Sequence, residues 1–486
     1  MAQNTNMNRN RAGSWKHLLG LRSKSAWRVL MMLLGVSAST VLSLEARAAA
    51  GNQSRPLQQP PRIRHVVIIV QENRTPDNLF HDPVLISHGA DIAGAGLSSG
   101  RIVALTPGPL SIDYDLDHSH TAFETTYDKG KMDGADLIGV LCNKGAVGCP
   151  PPLAAYRYVN PNEVQPYFQL AEQYTFGDRM FQTNQGPSFP AHQFLISGTS
   201  APTEASDLFA STNVFPGNGA AGCIAPPGSI VGLIDPAGVQ SSRQYPCFEH
   251  TTLTDLLEAK GISWRYYTLS AGSIWTGPAA IQHICQPEIK GADLVCTGSA
   301  WSNVIIPQTR ILTDIAMHQL AEVSWVIPDG RASDHSNLNN GSGPSWVASI
   351  VNAIGSSPYW GDTAIFITWD DWCGWYDHVA PPKVLDNCSE WGCGYVYGFR
   401  VPLIVVSPYA KTSYISHVTH DFGSILKFVE ETFNLPSLGY ADARADDFSD
   451  CFDFNQTPTA FRKISAPIAA QHFLSDQQPP IDPDDD

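Results

Sequence analysis

In this 486-residue chain, two pairs of oxygen-bearing side chains each follow a run of β-branched and apolar residues. Glu72 and Asn73 come after His-Val-Val-Ile-Ile-Val (65–70), and Asp370 and Asp371 after Ala-Ile-Phe-Ile-Thr (364–368). Residues at the carboxyl ends of strands in an open α/β sheet line the crevice in which ligands bind. Acids gathered there need a cation or a proton, because adjacent buried carboxylates cannot both ionise cheaply without a neutralising partner. Glu, Asn and Asp oxygens suit a hard divalent ion. Each pair also has an ordinary alternative. Glu72 can be satisfied by its neighbour Arg74 and by helix amides, and Asp-Asp after a strand is a common turn signal.

A third group is Gln185-Gly186-Pro187-Ser188-Phe189-Pro190, followed by an apolar run that ends at Gly198. The glycine-proline turn puts Ser188 at the mouth of a helix, in the positive end of the helix field where a phosphate also binds. As a plain N-cap the same serine would only satisfy an amide. No Gly-x-Ser-x-Gly elbow surrounds it, and His192 is the one histidine beside it in sequence, so a metal-activated serine fits better than a Ser-His-Asp relay. Magnitudes agree. General-base help contributes about 10²–10⁴-fold, whereas a metal lowers the pKa of a bound water from about 15.7 to about 7. His118 and His120 in Asp-Leu-Asp-His-Ser-His, with His283 and His335, are candidate cations or proton donors among the 15 histidines.

The elements that must position these groups are legible as alternating patterns. Strand-like runs recur at 65–70, 323–327, 364–368 and 401–406, continuous strings of the kind buried on both faces. Helical segments are expected over 251–260, stopped by Gly261, over 346–354, stopped by Gly355, and over 422–432, capped by Asp421. This alternation predicts an α/β fold with helices on both faces of the sheet. Residues 82–160 and 200–250, rich in Gly, Pro, Ser and Asn, read as long loop insertions over the sheet's carboxyl edge.

Residues 1–48 read as a signal peptide: a basic start, then an apolar stretch over 29–44 that is shorter than the roughly 20 residues a stable membrane span needs. A proline-rich linker (49–61) precedes a domain over 62–475, and 476–486 reads as a disordered acidic tail. Without the signal, 23 basic residues face 45 acidic ones, a net charge of −22 that repels nucleic acid. An even ten cysteines in an exported chain favours disulfides and a secreted or periplasmic location. Close pairs are Cys142/Cys149, Cys285/Cys296 and Cys388/Cys393; no paired C-x-x-C spacing suggests a zinc knuckle.

Several ordered motifs between about 62 and 455 resemble the bacterial phosphoesterase family that contains phospholipases C and secreted acid phosphatases. They are Gln-Glu-Asn-Arg-Thr-Pro-Asp-Asn-Leu-Phe (71–80), Asp-His-Ser-His (117–120), Gly-Lys-Met-Asp-Gly (130–134), Gly-Pro-Ser-Phe-Pro (186–190), Ser-Pro-Tyr-Trp (357–360), Thr-Trp-Asp-Asp through Asp-His-Val-Ala-Pro-Pro (368–382), Arg-Val-Pro-Leu-Ile-Val-Val-Ser-Pro (400–408) and His-Asp-Phe-Gly-Ser-Ile-Leu (420–426). The resemblance implies an alkaline-phosphatase-like α/β/α sandwich with a mostly parallel central sheet, hydrolysing a phosphate ester, with phospholipids among the candidate substrates. It implies a divalent metal ion, of unspecified identity, held by Glu72, Asn73, Asp370 and Asp371 beside Ser188, the nucleophile that forms a phosphoserine. His118, His283 and His335 take the place of the family's phosphate-contacting or proton-donating histidines. Two departures bear on substrate contacts: Thr75-Pro76-Asp77 where many relatives have Ser-Phe-Asp, and Pro190-Ala191-His192 where many have Pro-Asn-Arg. An acid-phosphatase-like activity is the first expectation, a phospholipase C the second, and a non-catalytic exported metal-binding protein the third.

Overall fold

Eight strands form the central sheet of the computed structural model, which describes residues 62–217, 219–384 and 396–483. They are β1 (His65–Gln71), β2 (Thr175–Gly177), β3 (Trp264–Tyr267), β4 (Val304–Ile305), β5 (Val323–Val326), β6 (Thr363–Trp369), β7 (Leu403–Val406) and β8 (Tyr414–Ser416). The order is β4-β3-β5-β1-β6-β7-β2-β8, and β7 alone runs against its neighbours. Four of these strands coincide with the continuous apolar runs at 65–70, 323–327, 364–368 and 401–406. The other four hold two to four residues each, such as Thr-Phe-Gly and Trp-Arg-Tyr-Tyr, too short to show a period.

The main helices are α1 (His120–Tyr127), α2 (Gln165–Gln173), α3 (Ser188–Ser197), α4 (Leu253–Lys260), α5 (Gly343–Gly355) and α6 (Phe422–Phe433). Local chemistry sets their ends. A capping box joins Asp421 and Ser424 at the start of α6, and Gly261 ends α4 in the left-handed conformation. α5 starts three residues before the expected Trp346, because Pro344 suits a helix's first turn.

Register shows that the helices cover both faces. Ile68, Trp325 and Phe366 are in-register partners and share one side of the sheet. On that side Trp325 donates its indole N–H to the Leu195 carbonyl of α3, and Phe366 meets Phe428 of α6. Gln71 and Trp369, three positions on, face the other way, where Trp369 meets Tyr167 of α2. The fold is thus an α/β/α sandwich with a mostly parallel sheet. Val66 to Val70 are wholly buried between its layers, each such side chain contributing roughly 1.5–3 kcal/mol of burial.

The two insertions form small structures of their own. Residues 82–160 contain three two-stranded ladders and α1, and Tyr114 and Tyr156 pack with Trp375 and Tyr376 from the loop after β6. Gly374 belongs to that contact: a Cβ there would lie 2.6 Å from Leu116 Cβ, and its φ is 68°. Residues 200–250 contain a three-stranded antiparallel sheet, Phe209–Ala210, Val231–Ile234 and Gln240–Gln244.

Disulfides join Cys142 to Cys149, Cys285 to Cys296 and Cys223 to Cys247; the first two are the expected local pairs. Among the described residues Cys373 and Cys451 are free and buried. The expected Cys388/Cys393 pair, the signal peptide and the linker lie outside the described residues. Residues 476–483 of the expected acidic tail have partners on the domain. Gly330 N–H donates to the Ile481 carbonyl at 2.8 Å, Ser270 donates to Asp482 at 2.6 Å, and Arg331 donates to the Pro479 carbonyl. No helix among the described residues is long and apolar enough to cross a membrane.

Candidate active site

Gln71 of β1 pairs with Trp369 of β6, so Glu72 and Asp370 leave the sheet side by side. Asn73 then turns into the left-handed region with a φ of 68°, which asparagine enters at lower cost than most residues. This turn aims its N–H at Asp370 Oδ1, 3.0 Å away, and Asp371 N–H donates to the same oxygen at 2.7 Å. Asp371 Oδ1 accepts from Cys373 N–H at 2.7 Å. Each aspartate therefore uses one oxygen to build the turn its sequence suggests and directs the other into the site. Arg74 does not neutralise Glu72. Its guanidinium donates to the Asp334 and Leu110 carbonyls and to Asn78, and lies over the Trp375 ring.

The third component arrives on α3. Pro187 occupies the N-cap position and Ser188 is the first helical residue, so its hydroxyl is not used as a cap. Instead Ser188 Oγ donates to Asp371 Oδ2 at 3.1 Å. The loop before it needs glycine: a Cβ on Gly186 would lie 2.5 Å from the Ser211 carbonyl oxygen of the second insertion. That insertion also supplies Asn213, whose Oδ1 accepts from Phe189 N–H at 2.9 Å and caps the helix. One helical turn beyond Ser188, His192 Nε2 lies 3.6 Å from Glu72 Oε1 and 3.8 Å from Asp370 Oδ2. Glu72, Asp370 and His192 are completely buried.

Electrostatics follow from this burial. Removal from water, then the neighbouring Asp370, raises the Glu72 carboxyl well above the usual carboxylate range. The same two causes push Asp371 up to about 8. Both Glu72 oxygens, Asn73 Oδ1, Asp370 Oδ2 and His192 Nε2 are buried with no hydrogen-bond partner, and donor atoms of Glu72, His192 and Asp370 lie within 4.8 Å of one another. Orphaned acceptors grouped this closely are costly unless something positive sits among them. The residues fit a divalent cation.

The expected histidines divide. His118 Nδ1–H donates to the Leu116 carbonyl at 2.7 Å, leaving Nε2 to accept from Asn73 Nδ2 at 3.4 Å and to lie 3.9 Å from Asp371 Oδ2. His335 is buried one ring further out, its centroid 6.1 Å from that of His118, and burial lowers its pKa. His120 bridges the carbonyls of Gln185 and Gly238 and ties the serine loop to the second insertion. His283 is not brought to the others. It lies on a part-exposed patch away from this cluster, bonded to Glu249 at 2.8 Å and ion-paired with Asp255 at 3.0 Å. The Asp255 contact raises it to about 9. Its place in sequence gave no sign that two acids of α4 and the preceding loop would claim both ring nitrogens.

A cavity of about 620 Å³ opens beside the serine, lined by His118, Pro187, Asn213, Val214, Phe215 and Arg243 among others. Asp377 and His378, from the motif that includes Asp370, serve a different cluster. Arg400 donates to Asp377 at 2.8 and 2.9 Å and to Asp77 at 3.2 Å, while His378 Nδ1 lies 2.7 Å from Asp77.

Ser188 thus lies at a helix N-terminus, where anions bind favourably, and residues 102–436 match the sequence profile of the Phosphoesterase family. The chain belongs to the Phosphoesterase family. This phosphoesterase-family chain is 24% identical to the non-hemolytic phospholipase C of Pseudomonas aeruginosa over 93% of its own length and 66% of that protein's. It thus spans just under two thirds of that relative. It is 23% identical to phospholipase C B of Mycobacterium tuberculosis, covering 82% of this chain and 78% of that one. A solved protein in the alkaline phosphatase superfamily from Vibrio parahaemolyticus superposes with a TM-score of 0.33 at 11% identity, over 79% of this chain and 70% of that chain, too distant to bear on the site.

Sequence reasoning set His192 aside and passed over Asn213. For His192 a signal existed: its i+4 spacing from Ser188 puts both on one helical face. Asn213 lies in a Gly- and Ser-rich insertion, where no period marks which residue will turn inward.

Proposed function

We propose that this protein is an exported, metal-dependent phosphoesterase that hydrolyses phosphate esters through a phosphoserine at Ser188. The observation that carries the reading is the Ser188 Oγ to Asp371 Oδ2 hydrogen bond, 3.1 Å long, made beside the unpartnered oxygens of Glu72, Asn73 and Asp370. Glu72, Asn73, Asp370 and Asp371 would hold the ion. When bound, it neutralises the acids and supplies positive charge for the developing phosphoryl charge.

The chain's own groups perform the rest. Asp371 takes the Ser188 proton as Oγ attacks phosphorus, forming one P–O bond while the ester P–O bond breaks. His118 Nε2, within reach of Asp371, receives that proton and passes it to the departing alcohol. Water then cleaves the phosphoserine and releases phosphate. The α3 N-terminus favours the anionic substrate throughout.

Monoester hydrolysis, resembling the acid phosphatases, is the primary reading, because Arg243 at the cavity wall offers positive charge to an anionic or polar ester. Phospholipase C activity is the second reading, favoured by the named relatives and by the apolar Val214, Phe215 and Ile230 in the same wall. The three disulfides support an oxidising location, secreted or periplasmic. The test is hydrolysis of a chromogenic phosphomonoester and of its phosphocholine diester, with and without chelator, by wild type and Ser188→Ala. Loss of activity in the variant and under chelation is expected. Equal activity in wild type and Ser188→Ala overturns the nucleophile assignment, and a well-folded wild type inactive on both esters favours a binding protein.

A further inference from the structure

We propose that His192 Nε2 is a ligand of the cation at this centre, so that the site selects a borderline transition ion such as Zn²⁺ or Co²⁺ over Ca²⁺. The inference rests on the metal-dependent reading above and adds to its ligand set a residue from the α3 face that carries Ser188.

The hydrogen-bond network fixes which ring nitrogen is bare. Tyr266 has one hydroxyl hydrogen, and it goes to the Trp275 carbonyl at 2.8 Å, an oxygen that can only accept. The contact between Tyr266 Oη and His192 Nδ1, 3.2 Å, must therefore run from Nδ1–H to the tyrosine oxygen. Gly277 N–H also donates to that oxygen, at 3.4 Å. The neutral ring then presents a lone pair at Nε2, and that lone pair faces two carboxyl oxygens, Glu72 Oε1 at 3.6 Å and Asp370 Oδ2 at 3.8 Å. All three atoms are buried without a hydrogen-bond partner.

These separations decide between a shared proton and a shared ion. A charge-assisted N–H···O bond closes to about 2.7–2.9 Å. Two donor atoms that each bind one ion at about 2.0–2.2 Å, at the roughly 90–120° angles of a five-coordinate ion, stand about 3.0–3.6 Å apart. The observed gaps are too long for the hydrogen bond and close to the ion-bridged spacing. A ligating histidine ordinarily donates its other ring N–H to an oxygen that fixes tautomer and orientation, which is the part Tyr266 and the Trp275 carbonyl play. An imidazole among carboxylates favours Zn²⁺ or Co²⁺, whereas Ca²⁺ prefers six to eight oxygens.

The experiment uses the full protein stripped with a chelator, titrated by calorimetry with Zn²⁺, Co²⁺ or Ca²⁺ alone, for wild type, His192→Ala and Tyr266→Phe. Circular dichroism confirms folding before each titration. Wild type is expected to bind Zn²⁺ and Co²⁺ at least about 10-fold more tightly than Ca²⁺. His192→Ala loses that preference, and Tyr266→Phe weakens Zn²⁺ binding by about 10–100-fold. In case His192→Ala does not fold, proton NMR of the wild-type Co²⁺ form reads the ligand directly: a hyperfine-shifted, exchangeable imidazole proton that moves in Tyr266→Phe supports His192. Tight transition-ion binding with no such proton, or with an unchanged preference in a folded His192→Ala, overturns the inference and leaves the metal-dependent reading standing. A wild type that binds none of the three ions overturns both.

Discussion

Asp77 and Asp377 are as deeply buried as Glu72, Asp370 and Asp371, yet the two acid clusters differ in the counter-charge the chain supplies. Around Asp77 and Asp377 the chain supplies its own positive charge. Arg400, fully buried, bonds to both acids, and His378 closes on Asp77. The arginine holds its proton tightly; against burial, contacts with His378 and Arg400 hold the Asp77 carboxyl below the usual range, while burial leaves Asp377 above it. Around Glu72, Asp370 and Asp371 the described residues bring no arginine or lysine, Arg74 next in sequence is turned away, and burial lifts the Glu72 and Asp371 carboxyls. A balanced buried cluster holds structure together, while an unbalanced one is a request for a ligand. Burial and residue type do not distinguish the two. Charge balance does.

Substitutions should separate the clusters by what they damage. The largest effect is expected at the unbalanced one: Ser188→Ala should lower kcat for a phosphomonoester on the order of 10⁴-fold or more, with an unfolding free energy within about 1 kcal/mol of wild type. A large loss of stability there would erase the contrast. Next comes the balanced cluster. Arg400→Met leaves buried Asp377 without counter-charge and Asp77 with His378 alone, and should cost about 3–5 kcal/mol in urea unfolding; an unchanged midpoint would show that Asp377 needs no counter-charge.

The third prediction concerns pH. A carboxyl whose folded pKa is raised stabilises the fold below its unfolded value near 4, and that contribution is lost as pH climbs through the folded value, about 8 for Asp371. Metal-free wild type should therefore lose stability between pH 5.5 and 8.5. Asp371→Asn should lose less, by roughly 1–3 kcal/mol, and parallel curves would remove Asp371 from the unbalanced set. The smallest effect is at His283, raised to about 9 by Asp255. His283→Ala should cost under about 1 kcal/mol near pH 6, nothing above pH 10, and no activity; a loss of turnover would return His283 to the site.

What the sequence makes legible follows from where each signal resides. β1 and β6 announce themselves because a central strand covered on both faces must be continuously apolar, and the residues just beyond such strands are then marked as ligand-facing. Glu72, Asn73, Asp370, Asp371 and Ser188 do converge, as their motifs imply. Short strands such as Thr175–Gly177 and, at the sheet edge, Tyr414–Ser416 carry no such mark, since three residues contain neither a period nor a run. Histidines are harder still. His192 and His283 are the same residue type, and what separates them is tertiary: one ring is sealed against Glu72 and Asp370, the other is taken by Glu249 and Asp255 at the surface.

The pairing of Gln71 with Trp369 brings together two halves of a site that lie 297 residues apart in the chain, as measured from Asn73 to Asp370. This gives the centre a place in time as well as in space. Glu72 leaves the ribosome early and waits for almost the whole domain before Asp370 exists, and contacts of such long sequence separation form slowly. A cation that needs both halves cannot be captured by the growing chain. Under the proposed metal-dependent reading, loading has to wait until β1 and β6 have found one another.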